Sequence, residues 1–264
     1  MTMWGKISQA YREGGFRRVA GATWRRLMSG PPRPHPVHAV LDEIVTQPDF
    51  TVVQLGAFVG NTPNDPLYSR LRHRLDRLGG RLICVEPVKE HFGKLVENYR
   101  GSKNVFCENV AISDRNGEAT FYRLGVDPVA HGYPDWLAQL GSLKGDRMGS
   151  LWDRFEKDPG LKAFYLQHRV EETVTCLTFA ELLRKHGVTR VDVLQMDVEG
   201  YEFEILSTLD LGRTPIRFIN YESVLLHERK KDAEALMERA GYVHFDHGQD
   251  TFCYRNDEKV RFWS

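Results

Sequence analysis

Chemistry built on paired cysteines has little to work with in this chain. Four cysteines, Cys84, Cys107, Cys176 and Cys253, are scattered through 264 residues. No two form a C-x-x-C, so a redox pair is excluded and reduced core thiols in a cytosolic protein are expected. Net charge is lacking as well, because 36 basic residues balance 36 acidic ones. A protein that grips nucleic acid over a broad face is ordinarily basic, so no nucleic-acid partner is expected. No apolar run reaches the roughly 18 residues of a membrane span, and no signal-peptide pattern is present. The expected location is therefore cytoplasmic. H-E-x-x-H, G-x-S-x-G and a P-loop are missing too, which removes three common hydrolytic chemistries.

What is present suits a folded α/β domain. Hydrophobic residues make up 41% and charged residues 27%, so a soluble core can form and global disorder is excluded. The charge is unevenly spread. Residues 1–30 hold Lys6, Arg12, Arg17, Arg18, Arg25 and Arg26 against one acid, Glu13. Trp4, Ile7 and Tyr11 share one helical face, and Ala20, Trp24, Leu27 and Met28 share another. Residues 1–35 thus read as a basic amphipathic helical arm followed by a proline-rich linker. The arm either packs on the domain or on a second copy in a homo-oligomer, or residues 1–28 rest peripherally on an anionic membrane. Residues 36–264 form the main domain.

That domain alternates strands and helices. "PVHAVLDEIV" reads as a helix, and "FTVVQLG" as a buried parallel strand ending in glycine. "NDPLYSRLRHRLDRLGG" reads as one helix with Asp65 as N-cap, a stripe of Leu67, Leu71, Leu75 and Leu78, and a glycine stop. "RLICVEP", "KEHFGKLVENY" and "NVFCENVAIS" continue the alternation, which implies a parallel sheet with right-handed crossovers. "GEATFYRL" and "EETVTCLT" read as added strands flanking an insert, residues 127–170. Its aromatics His131, Tyr133, Trp136, Trp152, Phe155, Phe164 and Tyr165 form either a lid over an acceptor pocket or a small core. "RVDVLQMD", "IRFINYE" and a closing hairpin, "YVHFDH…DTFCYR", complete a predicted seven-stranded, mostly parallel sheet with a terminal antiparallel hairpin.

Ligands of such sheets sit beyond the carboxyl ends of the strands. The first strand ends in Gln54-Leu55-Gly56-Ala57-Phe58-Val59-Gly60. Its G-x-x-x-G spacing is not the dinucleotide fingerprint, and no helix follows at once to receive a pyrophosphate. Glu86, just past the second strand, suits the two hydroxyls of a ribose, which serves NAD and S-adenosylmethionine equally well. "DVLQMDVEGYE" decides between them. It sets Asp197 and Glu199 at the sheet edge, where two acids suit a sulfonium donor and an acceptor hydroxyl that must lose a proton.

The blocks "VVQLGAFVGNTPNDPLY", "CVEPVKEHFGKLVENY", "ENVAISDRNGEATFYR", "LGSL", "RVDVLQMDVEGYEFEIL" and "NYES" occur in this order. In them the chain resembles the FkbM family of S-adenosylmethionine-dependent methyltransferases, in particular a branch with glutamine in the first glycine loop. The resemblance covers roughly Thr51 to Arg255. It implies a class I, Rossmann-like methyltransferase fold and O-methylation of a small molecule or glycan. It also implies that Gln54, Gly56, Ala57 and Gly60 wrap the methionine part of the donor, that Glu86 and Pro87 sit at the ribose, and that Asn109, Val110 and Ala111 flank the adenine. Asp197 and Glu199 would face the methyl group, with Glu222 beside them. Gln54 stands where methyltransferases at large carry an acid.

Candidate bases are Asp197, Glu199, Glu222 and His227. Alternatively, Glu199 caps the following helix and Asp197 orders the turn. Asp197, Glu199 and Glu222 offer hard oxygen ligands to a divalent metal, but a metal-free site is the favoured expectation. His244 and His247 are poorly spaced for zinc. No N-P-P-Y follows the fourth strand, which argues against nitrogen acceptors. Two rival readings stand beside O-methyl transfer. One is a catalytically silent binding module, suggested by Gln54. The other is an NAD-dependent oxidoreductase, whose sheet would lack the terminal hairpin.

Overall fold

The computed structural model describes residues 35–257 apart from 45, 47, 64 and 146–157. The expected arm, most of its linker, and Trp152 and Phe155 of the insert lie outside the described residues. Eleven strands are described. Seven form one sheet in the order β10-β11-β9-β8-β1-β2-β3. These are β1 (Thr51–Leu55), β2 (Arg81–Val85), β3 (Val105–Glu108), β8 (Val191–Met196), β9 (Ile216–Glu222), β10 (Tyr242–His247) and β11 (Asp250–Arg255). The pairings β9-β8-β1-β2-β3 are parallel, and β11 runs antiparallel to both β9 and β10. The mostly parallel sheet and its terminal hairpin are therefore present.

Both faces of the sheet are covered, as continuous apolar strands require. Val52, Leu82, Val193 and Phe218 point to one face. There they pack on α1 (Pro36–Ile44) through Val37, Val40, Leu41 and Ile44. Val53, Ile83, Leu194 and Ile219 point to the other, against α6 (Phe179–Lys185) and α7 (Glu202–Thr208). The same alternation places Gln54, Gln195 and Asn220 side by side in register on the first face. α4 (Lys89–Asn98) follows β2, and α8 (Arg229–Arg239) precedes the hairpin.

One expectation needs correction. The leucine-striped segment is not one helix but two short ones, α2 (Tyr68–Leu71) and α3 (Leu75–Leu78). Asp65 accepts from the backbone N–H groups of Leu67 and Tyr68, a tight local turn that delays the helix start. Leu67, Leu71 and Leu75 are nevertheless fully buried, and Gly79 ends α3 in the left-handed conformation.

The added strands flank the insert as expected and lie apart from the main sheet. β4 (Ala111–Ile112), β5 (Gly117–Leu124), β6 (Gly141–Ser142) and β7 (Arg169–Leu177) form a second sheet in the order β4-β7-β5-β6. The insert leaves from the end of β5 and returns at β7. Between them lie short 3-10 turns at Val129–His131 and Asp135–Gln139 and helix α5 (Pro159–His168). Phe164 and Tyr165 are buried there with Leu124, Leu137, Leu140 and Leu225, and Tyr133 stacks on Phe164 at 4.0 Å. Most described insert aromatics thus build a local core.

Candidate active site

The ends of β1, β2 and β8 are tied together by backbone. Gly56 and Ala57 both donate to the Val85 carbonyl, and the Asp197 N–H donates to Leu55 O. Gly56 has φ +76°, and a Cβ there would lie 1.7 Å from the Asp197 carbonyl oxygen. Only glycine fits so close an approach. Glu86 is 5% exposed. Its carboxylate accepts from the N–H of Phe58 at 2.9 Å and of Val88 at 2.8 Å. This fixes the first loop, with Phe58 at φ +47° and its ring edge-on to His91 at 4.4 Å. A carboxylate has about four acceptor positions, so Glu86 keeps capacity for a ligand diol.

Beside it lies a pocket with apolar walls from Val88, Val110, Ala111, Ile112 and Phe121. Gln139, Leu140 and Gly141 of the insert cover it, and Asp197, Glu199 and Tyr201 stand at its inner end. Of the expected donor-binding residues, Gly56, Glu86, Pro87, Val110, Ala111 and Asp197 line this pocket.

Gln54, Ala57, Gly60 and Asn109 are placed behind it, and each has an internal reason. The Gln54 amide donates to Asp65 Oδ2 at 2.7 Å, and its oxygen faces the Cys84 thiol. Ala57 is packed in the core under the first face. A Cβ on Gly60 would approach Leu95 Cδ1 to 2.7 Å, so that glycine serves packing. The Asn109 amide donates to the carbonyls of Glu86 and Pro87, positioning the segment that carries Glu86.

A second cleft, of about 570 Å³, opens on the far side of Asp197 and Glu199. It shares those two acids, Gln139 and Leu140 with the first pocket, and adds Trp136, Glu222, His35, Gln249 and Asp250. Gln195 contributes to its lining. Asn220 holds this part of the cleft, donating to Gln195 Oε1 at 3.0 Å and to Asp250 Oδ2 at 2.7 Å.

Asp197, Glu199 and Glu222 meet between the two spaces, with one carboxylate oxygen from each within 4.8 Å of the others. β8 and β9 are adjacent and parallel, so their carboxyl ends deliver these acids to one place. Glu199 sits at φ +54°, a conformation that costs on the order of 1–3 kcal/mol for a residue with a Cβ. The turn is gripped from the second sheet, where Ser142 Oγ donates to Glu199 O and Lys144 Nζ to Gly200 O. Glu222 is buried, and its pKa is driven far up by burial first and by Asp197 and Glu199 next. Asp197 keeps solvent access at the cleft. Its pKa is also raised, by the protein crowding around it and then by the charge of Asp250.

The turn before α7, a helix whose N-cap Tyr201 makes no side-chain capping bond, is braced by Glu202. Its Oε1 accepts from the Val198 N–H at 2.9 Å, and it is fully buried with a pKa pushed up to about 8. His227 is not brought to the acids; it is exposed in the turn after β9, outside both spaces. His244 pairs with Glu238, while the His247 ring lies 5.2 Å from that of His35. Sequence reasoning missed Phe58, His91, Phe121, Gln139, Leu140 and Tyr201. Of these, "LGSL" marked the place of Leu140 and Gly141 without assigning a role.

Comparison with known proteins agrees with this geometry. The family model described as the methyltransferase FkbM domain matches residues 54–243. A curated relative, 2-O-methyltransferase NoeI of Sinorhizobium fredii, is 23% identical over 204 residues, spanning 76% of this chain and 75% of its own. Among solved structures, an O-methyltransferase from Bacillus cereus in complex with SAH gives a TM-score of 0.39 at 10% identity, covering 88% of this chain and 86% of that one. The METTL16 methyltransferase domain gives 0.42 at 10% identity, covering 84% and 67%.

Proposed function

The chain belongs to the FkbM methyltransferase family, and from that premise we propose that it methylates a hydroxyl oxygen of a small molecule or glycan, using S-adenosylmethionine. The observation that carries this reading is the meeting of two spaces at Asp197 and Glu199: a narrow, apolar-walled pocket of about 70 Å³ holding Glu86 on one side, which must widen to take a nucleoside, and a wider polar cleft of about 570 Å³ on the other. The residues fit the donor. Glu86 retains acceptor capacity for a ribose diol, Val110, Ile112 and Phe121 offer a slot for a flat base, and Gly56 leaves the floor open. S-adenosylmethionine, when bound there, supplies an electrophilic methyl carbon. The relative NoeI, a 2-O-methyltransferase by name, supports oxygen as the acceptor atom.

The chain's own part is positioning and proton transfer. Trp136, Gln139 and Gln249 line the cleft where an acceptor ring would lie. Asp197 or Glu199 takes the hydroxyl proton as the new bond forms, because both face the junction. A raised carboxylate pKa makes Asp197 a stronger base than an ordinary aspartate once ionised. The insert residues Gln139 and Leu140 line both spaces beside the junction.

Titration with S-adenosylhomocysteine tests the donor half of the reading, and absence of binding at several hundred micromolar removes it. A panel of hydroxylated acceptors with labelled donor tests the other half. The binding-module reading gains some support from Gln54, which is turned away from the pocket toward Asp65. It predicts donor binding with no transfer to any acceptor. The oxidoreductase reading is disfavoured by the β10–β11 hairpin.

A further inference from the structure

The junction crowds together more carboxyl oxygens than proton transfer needs. Glu222 is 9% exposed, and its Oε2 has no hydrogen-bond partner although it is shut off from solvent. An unpaired buried carboxylate oxygen costs several kcal/mol unless something meets it. No cationic side chain among the described residues forms an ion pair with Asp197 or Glu222. Lys144, on the neighbouring segment, is spent on Glu204 and the Gly200 carbonyl.

The spacing has a chemical meaning. Ligand oxygens on opposite sides of Ca²⁺ stand about 4.8 Å apart, and around Mg²⁺ about 4.2 Å. The oxygens of Asp197, Glu199 and Glu222 all fall within 4.8 Å of one another. They come from two adjacent strand ends and face an open cleft, which leaves room for water or a substrate oxygen to complete a coordination shell.

We propose that Asp197, Glu199 and Glu222 form a binding site for one hard divalent cation, of Ca²⁺ size as the side chains stand and reachable by Mn²⁺ or Mg²⁺ after a contraction of a few tenths of an ångström. The site faces the cleft, so a cation there contacts an oxygen of whatever occupies it. On the methyl-transfer reading, on which this consequence alone rests, the cation orients the acceptor and makes its hydroxyl easier to deprotonate. It stands against the metal-free site expected from the sequence.

The test uses full-length protein stripped with chelator and dialysed against Ca²⁺, Mn²⁺ or Mg²⁺ separately, with bound metal counted by elemental analysis and affinity read by titration calorimetry. One cation per chain is expected, bound at least tenfold more weakly by both Glu222→Gln and Glu199→Gln. Thermal unfolding should rise on adding the cation to the wild type and not in either variant. Less than 0.2 cation per chain at millimolar concentration of all three metals overturns the site, on the order expected for weak sites. Unchanged affinity in a folded Glu199→Gln protein overturns it equally. S-adenosylhomocysteine titrated into the same metal-free protein reads the methyl-transfer proposal separately, so the two can fail independently.

Discussion

Gly56 and Asp197 touch backbone to backbone: a single methyl group on the first would overlap the carbonyl oxygen of the second. The floor of the donor pocket and the first acid of the junction are therefore one mechanical unit. Gly56→Ala should lower stability by about 3 kcal/mol or more, since a backbone oxygen cannot step aside and the left-handed φ adds strain. Unfolding in denaturant measures the loss. S-adenosylhomocysteine binding should vanish in whatever fraction remains folded.

Glu86 fixes the loop and, on the proposed reading, also meets the ligand. Replacing it with glutamine keeps the shape but removes charge from its bonds to Phe58 and Val88. Charge-assisted hydrogen bonds are roughly twice as strong as neutral ones. Glu86→Gln should weaken S-adenosylhomocysteine by about tenfold to a hundredfold, as expected for loss of one or two such bonds. Calorimetry checks this, and an unchanged affinity would mean the ribose lies elsewhere.

Gln54 separates a role carried over from relatives from the one its contacts indicate. Its amide holds Asp65, whose own carboxylate organises the turn before α2. Gln54→Ala should cost about 1–3 kcal/mol of stability, the range for leaving a buried partner unsatisfied. Donor affinity should stay within a factor of about three. A large fall in affinity with stability intact would restore Gln54 to the donor site.

Glu202 should make stability depend on pH. Its folded pKa, pushed up to about 8 by burial, lies above the ordinary glutamate value of 4.5. Between those values the folded state holds a proton that the unfolded chain releases, so stability falls as pH rises through this window and levels off above it. The expected loss is on the order of 5 kcal/mol, from about 1.4 kcal/mol per pH unit. Glu202→Gln keeps an acceptor for Val198, and should flatten the profile and stabilise the protein at pH 9. Thermal melts from pH 5 to 9 compare the two.

Glu199→Gln should lower kcat by about a hundredfold or more, in the range general-base catalysis contributes, while S-adenosylhomocysteine binds nearly as before. Because the Asp197 pKa is raised, the acidic limb of the rate profile should lie above the usual aspartate range. Asp197→Asn should abolish that limb along with most of the activity. Steady-state rates across pH, with acceptor in excess, distinguish the two acids.

The main sheet was legible because its strands are continuous β-branched runs, and because acids that end such runs must lie at the rim. Glu86, Asp197 and Glu199 were found on that logic, and Glu222 came through the family resemblance. Glu202 was not, since a glutamate in the first turn of a helix ordinarily faces water and only packing reveals its burial. The partnership of Gln54 with Asp65 joins a strand to a loop, and no periodicity announces it. Gln139 and Leu140 lie in a short polar stretch of 3-10 turns, where neither the helical nor the strand repeat applies. His227 was proposed on residue type alone, and a positive φ in an exposed turn points its segment elsewhere.

β5 and β7 pair along their length, so that Leu124 and Arg169 stand opposite each other where the excursion leaves and returns. The chain between them returns to the strands beneath through β6 on β5 and through the core around Leu124 and Leu225. Ser142 and Lys144 are the points at which that excursion must still clasp the turn carrying Glu199. Variation confined to the cleft side of the excursion, at Trp136, would therefore change what the cleft admits while these two anchors keep the turn in place.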